Sequence, residues 1–194
     1  MSREAPLLSL MQRPAGIPEA RTREQLIGAH RELHERLAVA LEALEPAVFF
    51  APQGSFWSPA QHLDHLVRSV RPLAKALGYP RWLLRLLFGG GKRSRPPAEV
   101  VDLYLARLAA GGKAGGAYLP AAAGAPDRAA QQALVARWRR TGLYLDQALA
   151  GWSEADLDRY RLPHPLIGKL TVREMVAWSL YHGDHHLARI AERS

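Results

Sequence analysis

Apolar residues recur at helical spacing in four long stretches, with irregular chain between them. In the first, Leu26, His30, Leu33, Leu37, Ala40, Leu41 and Leu44 share a face, and Thr22 with Gln25 three residues on forms a capping box. Pro46 is expected to stop this helix. Val48-Phe49-Phe50 and Phe56-Trp57 bracket a polar turn, which predicts a loop whose aromatics cap a bundle. Ser58, Pro59 and Gln61 then open a second helix with the stripe Leu63, Leu66, Val67, Val70, Ala74 and Leu77. Pro72 is expected to bend it. Asp127 caps a third helix running to about Ala150, with Leu134, Val135, Trp138, Leu145 and Leu149 on one side, and Ser153 starts one more turn. An extended lead-in, His164 to Leu170, enters the last helix at Thr171, again with a glutamate, Glu174, three residues on.

Between the second and third long helices the pattern is least regular. Arg81 to Phe88 is a short basic and apolar segment, followed by Gly89-Gly90-Gly91-Lys92-Arg93-Ser94-Arg95, a short helix from Pro97 to Ala110, and a Gly/Pro-rich loop. The glycines are not a phosphate-binding loop, since no strand precedes them and no Gly-Lys-Ser/Thr opens a helix. No strand alternation, repeat or nucleic-acid motif is present. The expected fold is all-α: an antiparallel or crossed four-helix bundle with a short helical, basic insertion. Residues 1–20, with three prolines and no period, are expected to form an extended arm, and 21–194 a single domain.

Composition narrows the chemistry. The 194 residues include no cysteine, which removes disulfides, thiolate zinc sites and cysteine nucleophiles and leaves His, Asp and Glu as metal ligands. The net charge of +8 favours anions in general without identifying a partner. Residues 81–95 can be read as a membrane-surface or anion-binding element, or as a short helix over one end of the core followed by a flexible basic loop; the second is the expectation. No signal peptide and no spanning helix are evident, so a cytoplasmic location is expected.

The last helix carries the strongest chemical signal. Val172, Met175, Val176, Ser179, Gly183, His186, Leu187 and Ile190 share its broad face, and His182 lies at the edge, one turn before His186. Imidazoles at i and i+4 can converge on one ion, their Cβ atoms being about 5–6 Å apart. Ser179 and Gly183 are small and leave room beside them, while His185 falls toward the rim. In the second helix, periodicity puts His62 about 80° and His65 about 140° from the centre of the apolar stripe, so by this criterion His62 is the better inward ligand. His30 and His34 are a rival i, i+4 pair. They are expected not to be ligands, with His34 drifting toward charged neighbours.

Three segments together resemble the DinB/YfiT-like superfamily of metalloenzymes, which is unrelated to the DNA polymerase sharing the DinB label. They are Trp57-Ser58-Pro59-Ala60-Gln61 leading to His65-Leu66; His164-Pro165-Leu166-Ile167-Gly168-Lys169-Leu170-Thr171; and Tyr181-His182-Gly183-Asp184-His185-His186-Leu187-Ala188-Arg189-Ile190. The resemblance covers the chain from about residue 22. It implies that His65, His182 and His186 bind a divalent metal (zinc, nickel or iron), against the helical wheel and with His62 as the substitute for His65.

What the resemblance implies further is metal-dependent chemistry that activates water or an exogenous low-molecular-weight thiol, as a hydrolase or thiol S-transferase acting on a small molecule. Homodimers are common among look-alikes. A second reading is a non-catalytic metal-binding or metal-free bundle with a sensing, sequestration or partner-binding role. A third is a basic protein acting on nucleic acid or membrane through residues 81–95. Asp64, Glu174, Tyr181 and Asp184 are candidate proton-handling or supporting groups, with Glu174 and Asp184 expected as helix-surface charges.

Overall fold

A computed structural model describes residues 19–52, 54, 56–91, 93–113, 115–121 and 124–192. All of the expected arm but Glu19 and Ala20 lies outside the described residues, as does Lys92.

Local chemistry starts each helix. Thr22 and Gln25 form the expected capping box at the head of α1 (Arg23–Glu42). Pro46 does not act as a stop. The helix ends earlier, at Glu42, and Pro46 sits in the first turn of a second, five-residue helix, α2 (Pro46–Phe50), where its missing N–H costs nothing. Phe49 and Phe50 are buried from that turn. Ser58 and Gln61 cap α3 (Pro59–Leu77), which runs unbroken through Pro72. The insertion holds α4 (Arg81–Phe88), α5 (Pro97–Ala109) and a 3-10 turn at Gly116–Tyr118. Asp127 caps α6 (Arg128–Ala150), and Ser153 caps α7 (Glu154–Arg159).

The lead-in to the last helix is more than extended chain. β1 (Arg161–His164) pairs antiparallel with β2 (Gly168–Thr171), in register from Arg161↔Thr171 to His164↔Gly168. Leu162 and His164 are buried on either side of an exposed Pro163, and a proline inside so short a run hides the strand from a sequence reading. Gly168, at φ 80, supplies the left-handed residue that brings the chain back. Thr171 then caps α8 (Val172–Ala191), with Glu174 closing the box.

The four long helices form a closed ring of neighbours: α1 packs on α6, α6 on α3, α3 on α8 and α8 on α1. Cross-links fix their directions. Arg31 pairs with Asp146 and Gln131 donates to Leu41 O, so α1 and α6 run antiparallel. Asp64 meets Arg137 while Leu77 O accepts from Trp152, so α3 and α6 run parallel. His62 and His65 face His186 and His182, so α3 and α8 are antiparallel. His30 meets Val176 and Arg36 meets Asp184, so α1 and α8 are parallel. The order along the chain is therefore up, down, down, up. Two consecutive helices pointing the same way require the chain to return the length of the bundle between them, and that is the purpose of the insertion.

The basic loop is docked. Ser94 Oγ donates to Asp158 and lies 2.6 Å from Thr171 Oγ1, while Arg95 grips Glu174 through Nε at 2.8 Å, Nη2 at 3.0 Å and its backbone N at 2.7 Å. Glu174 is thus buried at the head of α8, not a surface charge. Arg81 spans Trp152 at 3.6 Å and donates to Gly151 O. These two arginines join elements and do not form a free basic patch.

Candidate metal centre

The N-terminal end of α3 and the C-terminal half of α8 meet at one end of the bundle. There His182 Nε2 lies 3.2 Å from His65 Nε2 and 3.1 Å from His186 Nε2. All three residues are buried, and their ligand atoms lie within 4.8 Å of one another, the one group of this kind among the described residues. The side-chain direction that periodicity disfavoured for His65 is the one observed. Residues 63 to 67 are buried on every side because the insertion covers the face of α3 that the stripe leaves outward. The strap of residues 115–121 crosses that face. Tyr118 O accepts from His65 Nδ1 at 2.7 Å, and Ala121 N donates to Asp64 Oδ2 at 2.9 Å.

The hydrogen bonds decide where the protons sit. A carbonyl only accepts, so His65 carries its proton on Nδ1 and presents a bare lone pair at Nε2. Burial pushes His65 below the ordinary imidazole value, against the Tyr118 carbonyl and Asp64. His182 and His186 are pushed much further down, first by burial and then by the neighbouring imidazoles. All three are neutral near pH 7. His182 Nε2 offers either one N–H or one lone pair, so it can complete a hydrogen bond with only one of its two neighbours. A cation at the centre would satisfy all three. Nitrogens about 2.0–2.1 Å from a tetrahedral ion stand about 3.3 Å apart, close to the two separations from His182, while the set as a whole lies within 4.8 Å.

The surroundings hold these rings in place. His62, half-buried, sits with Nδ1 2.7 Å from His186 Nδ1, so it supports that ring from behind. Trp178 stacks on His182 at 4.6 Å, and Trp57 lies parallel to His186 at 6.2 Å and 5.1 Å from His65. Asp64 is a clamp: burial raises its carboxyl, but the Ala121 N–H and the Arg68 and Arg137 guanidiniums outweigh it and hold it below the usual range. Tyr181 is buried against Tyr104, and Asp184 is a partly exposed charge paired with Arg36. His185 stands outside the group, 5.6 Å from the His186 ring.

His30 and His34 lie elsewhere in the core. His30 Nε2 is 3.1 Å from both Val176 O and Ser179 Oγ. His34 is buried between α1 and α6, stacked on Trp138 at 3.7 Å, and has not drifted toward its charged neighbours. Ser179 and Gly183 leave no room for a ligand, because α1 fills it: a Cβ on Gly183 would meet Leu33 Cδ2 at 2.6 Å.

On the other side of His65 and His182 is a cavity of about 230 Å3. Aromatic and aliphatic side chains from α3, α4, α5, β1 and α8 make most of its wall. Periodicity gave no sign of it, since its walls come from five elements.

With this geometry in view, the DinB superfamily profile matches residues 29–190, and the chain belongs to that superfamily. No curated protein and no solved structure matches it significantly.

Proposed function

We propose that this protein is a metal-dependent enzyme whose divalent ion is held by His65, His182 and His186. The observation that carries this reading is the buried convergence of three imidazoles whose ring nitrogens cannot all pair with one another. Three protein ligands leave coordination positions open, the arrangement of catalytic rather than structural sites. A bound ion supplies Lewis acidity that lowers the pKa of water or a thiol reaching it and polarises a carbonyl. The chain's own residues do the rest. The Tyr118 carbonyl orients His65, His62 supports His186, and Trp178 fixes the plane of His182. The adjoining cavity favours turnover of a small molecule over metal sequestration, since a storage site has no use for one.

With no cysteine in the chain, a thiol route needs an exogenous low-molecular-weight thiol. Hydrolysis and thiol transfer are separated by incubating zinc-, nickel- or iron-loaded protein with activated esters and with thiol–electrophile pairs. Turnover that depends on the ion and vanishes in His182→Ala is expected. A fully loaded protein with no turnover in either panel, alone or with added thiol, would shift the reading to a non-catalytic metal-binding bundle.

A further inference from the structure

The cavity beside His65 and His182 presents mostly carbon. Leu73, Phe88, Tyr104, Leu162, Met175 and Trp178 make much of its wall. Polar side chains around it are already committed to the protein. Ser69 Oγ donates to His65 O, His65 Nδ1 donates to Tyr118 O, and His164 Nδ1 accepts from Leu166 N–H at 3.1 Å. Trp178 Nε1 and His164 Nε2 are sealed, with almost no surface that a molecule in the cavity could touch. These two rings therefore meet the cavity through carbon.

The charges point the same way. No aspartate or glutamate is among the described residues lining the cavity, and Lys113, an exposed residue at its rim, is screened by water. An ionised ligand would give up its hydration on entering and find no buried counter-charge in return. The wall also favours a ring over a flexible chain. Tyr104 meets Trp178 edge to face at 5.4 Å and His164 at 6.1 Å, and His164 meets Trp178 at 4.2 Å, so the three rings form an aromatic corner. Trp178 joins this corner to the histidine group by stacking on His182 at 4.6 Å. Aromatic pairs in edge-on or offset arrangements gain stability beyond the area they bury.

We propose that this cavity binds a small uncharged aromatic compound, its ring packed against the corner formed by Tyr104, Trp178 and His164, beside the three histidines. An apolar cavity of about 150 Å3 admits benzene. The volume of about 230 Å3 here accommodates a ring with a small substituent. The inference rests on the metalloenzyme reading in so far as it names a substrate class for that site, but the wall exists without an ion and binding to it is measured without one.

An NMR titration of metal-free protein tests it, with toluene as the probe and benzoate and benzylammonium as its charged counterparts. Toluene is expected to bind at least about tenfold more tightly than either ion. Ala76, half-buried on α3, lines the cavity, and Ala76→Phe is expected to fill it and weaken toluene at least about tenfold. Should that protein fail to fold, Phe88→Ala, which strips a ring from the wall, carries the test with an expected loss of about threefold or more. No binding of toluene, binding of benzoate or benzylammonium as tight as that of toluene, or wild-type affinity for toluene in the folded variant overturns the proposal. Because the ion is absent, these results stand apart from metal binding. Protein that loads metal but ignores toluene sinks this inference alone, whereas protein that binds toluene and no metal sinks the metalloenzyme reading.

Discussion

His34 is packed so closely that one methyl group decides whether α1 and α6 can meet. Its ring lies flat on Trp138 and over Gly142, where an added Cβ would stand 2.2 Å from Nδ1. A glycine inside an exposed helix costs about 1 kcal/mol relative to alanine, yet here alanine has no space. Gly142→Ala is expected to lower stability by about 1–3 kcal/mol in thermal or denaturant unfolding. A gain would show that the ring moves aside freely. Neither the role of Gly142 nor the burial of His34 was legible in the sequence, because both depend on which helix lies opposite. The same neighbourhood makes the fold acid-sensitive. Burial, joined for His34 by the neighbouring His30, lowers His30 to about 4 and His34 to about 3. Unfolded imidazoles titrate near 6.5, so below that the unfolded chain holds more protons. Stability is therefore full above about pH 6.5, falls on acidification through about 4 and levels off below about 3, a loss on the order of several kcal/mol. Denaturant midpoints across that range should show this slope, and His34→Phe, which keeps the stack, should flatten it.

Among the elements, helix starts were the most legible part of the chain. Thr22, Ser58, Asp127 and Thr171 each cap the helix expected of them, since capping is local and needs no tertiary partner. The β1–β2 hairpin and the strap across α3 were not legible, being defined by what they pack on. Glu174 illustrates the limit: its place in the capping box is local, but its burial comes from Arg95, 79 residues away. The strap gives an element-level prediction. Asp64 holds it through Ala121, and Tyr118 in the same strap orients His65. Asp64→Asn should leave helix content unchanged by circular dichroism while weakening metal binding about 10–100-fold in a chelator competition. Unchanged affinity would mean that His65 needs no such support.

Across the whole molecule, the four-helix architecture followed from periodicity, but its directions did not. Apolar stripes say which face of each helix is inward, not that α3 and α6 run parallel. That arrangement brings the described residues between α3 and α6 back along the bundle and buries the side of α3 that the stripe leaves polar. His65 faces inward for this reason. The helical wheel pointed to His62, which instead backs His186, while the family resemblance pointed to His65 directly. Metal stoichiometry is the most direct test of the central claim: elemental analysis of protein stripped with chelator, reloaded and never exposed to an affinity-column metal. One divalent ion per chain is expected in the wild type and in His30→Ala, with its loss in His65→Ala, His182→Ala and His186→Ala. A His65→Ala protein that is folded and holds its ion as the wild type does would contradict the account.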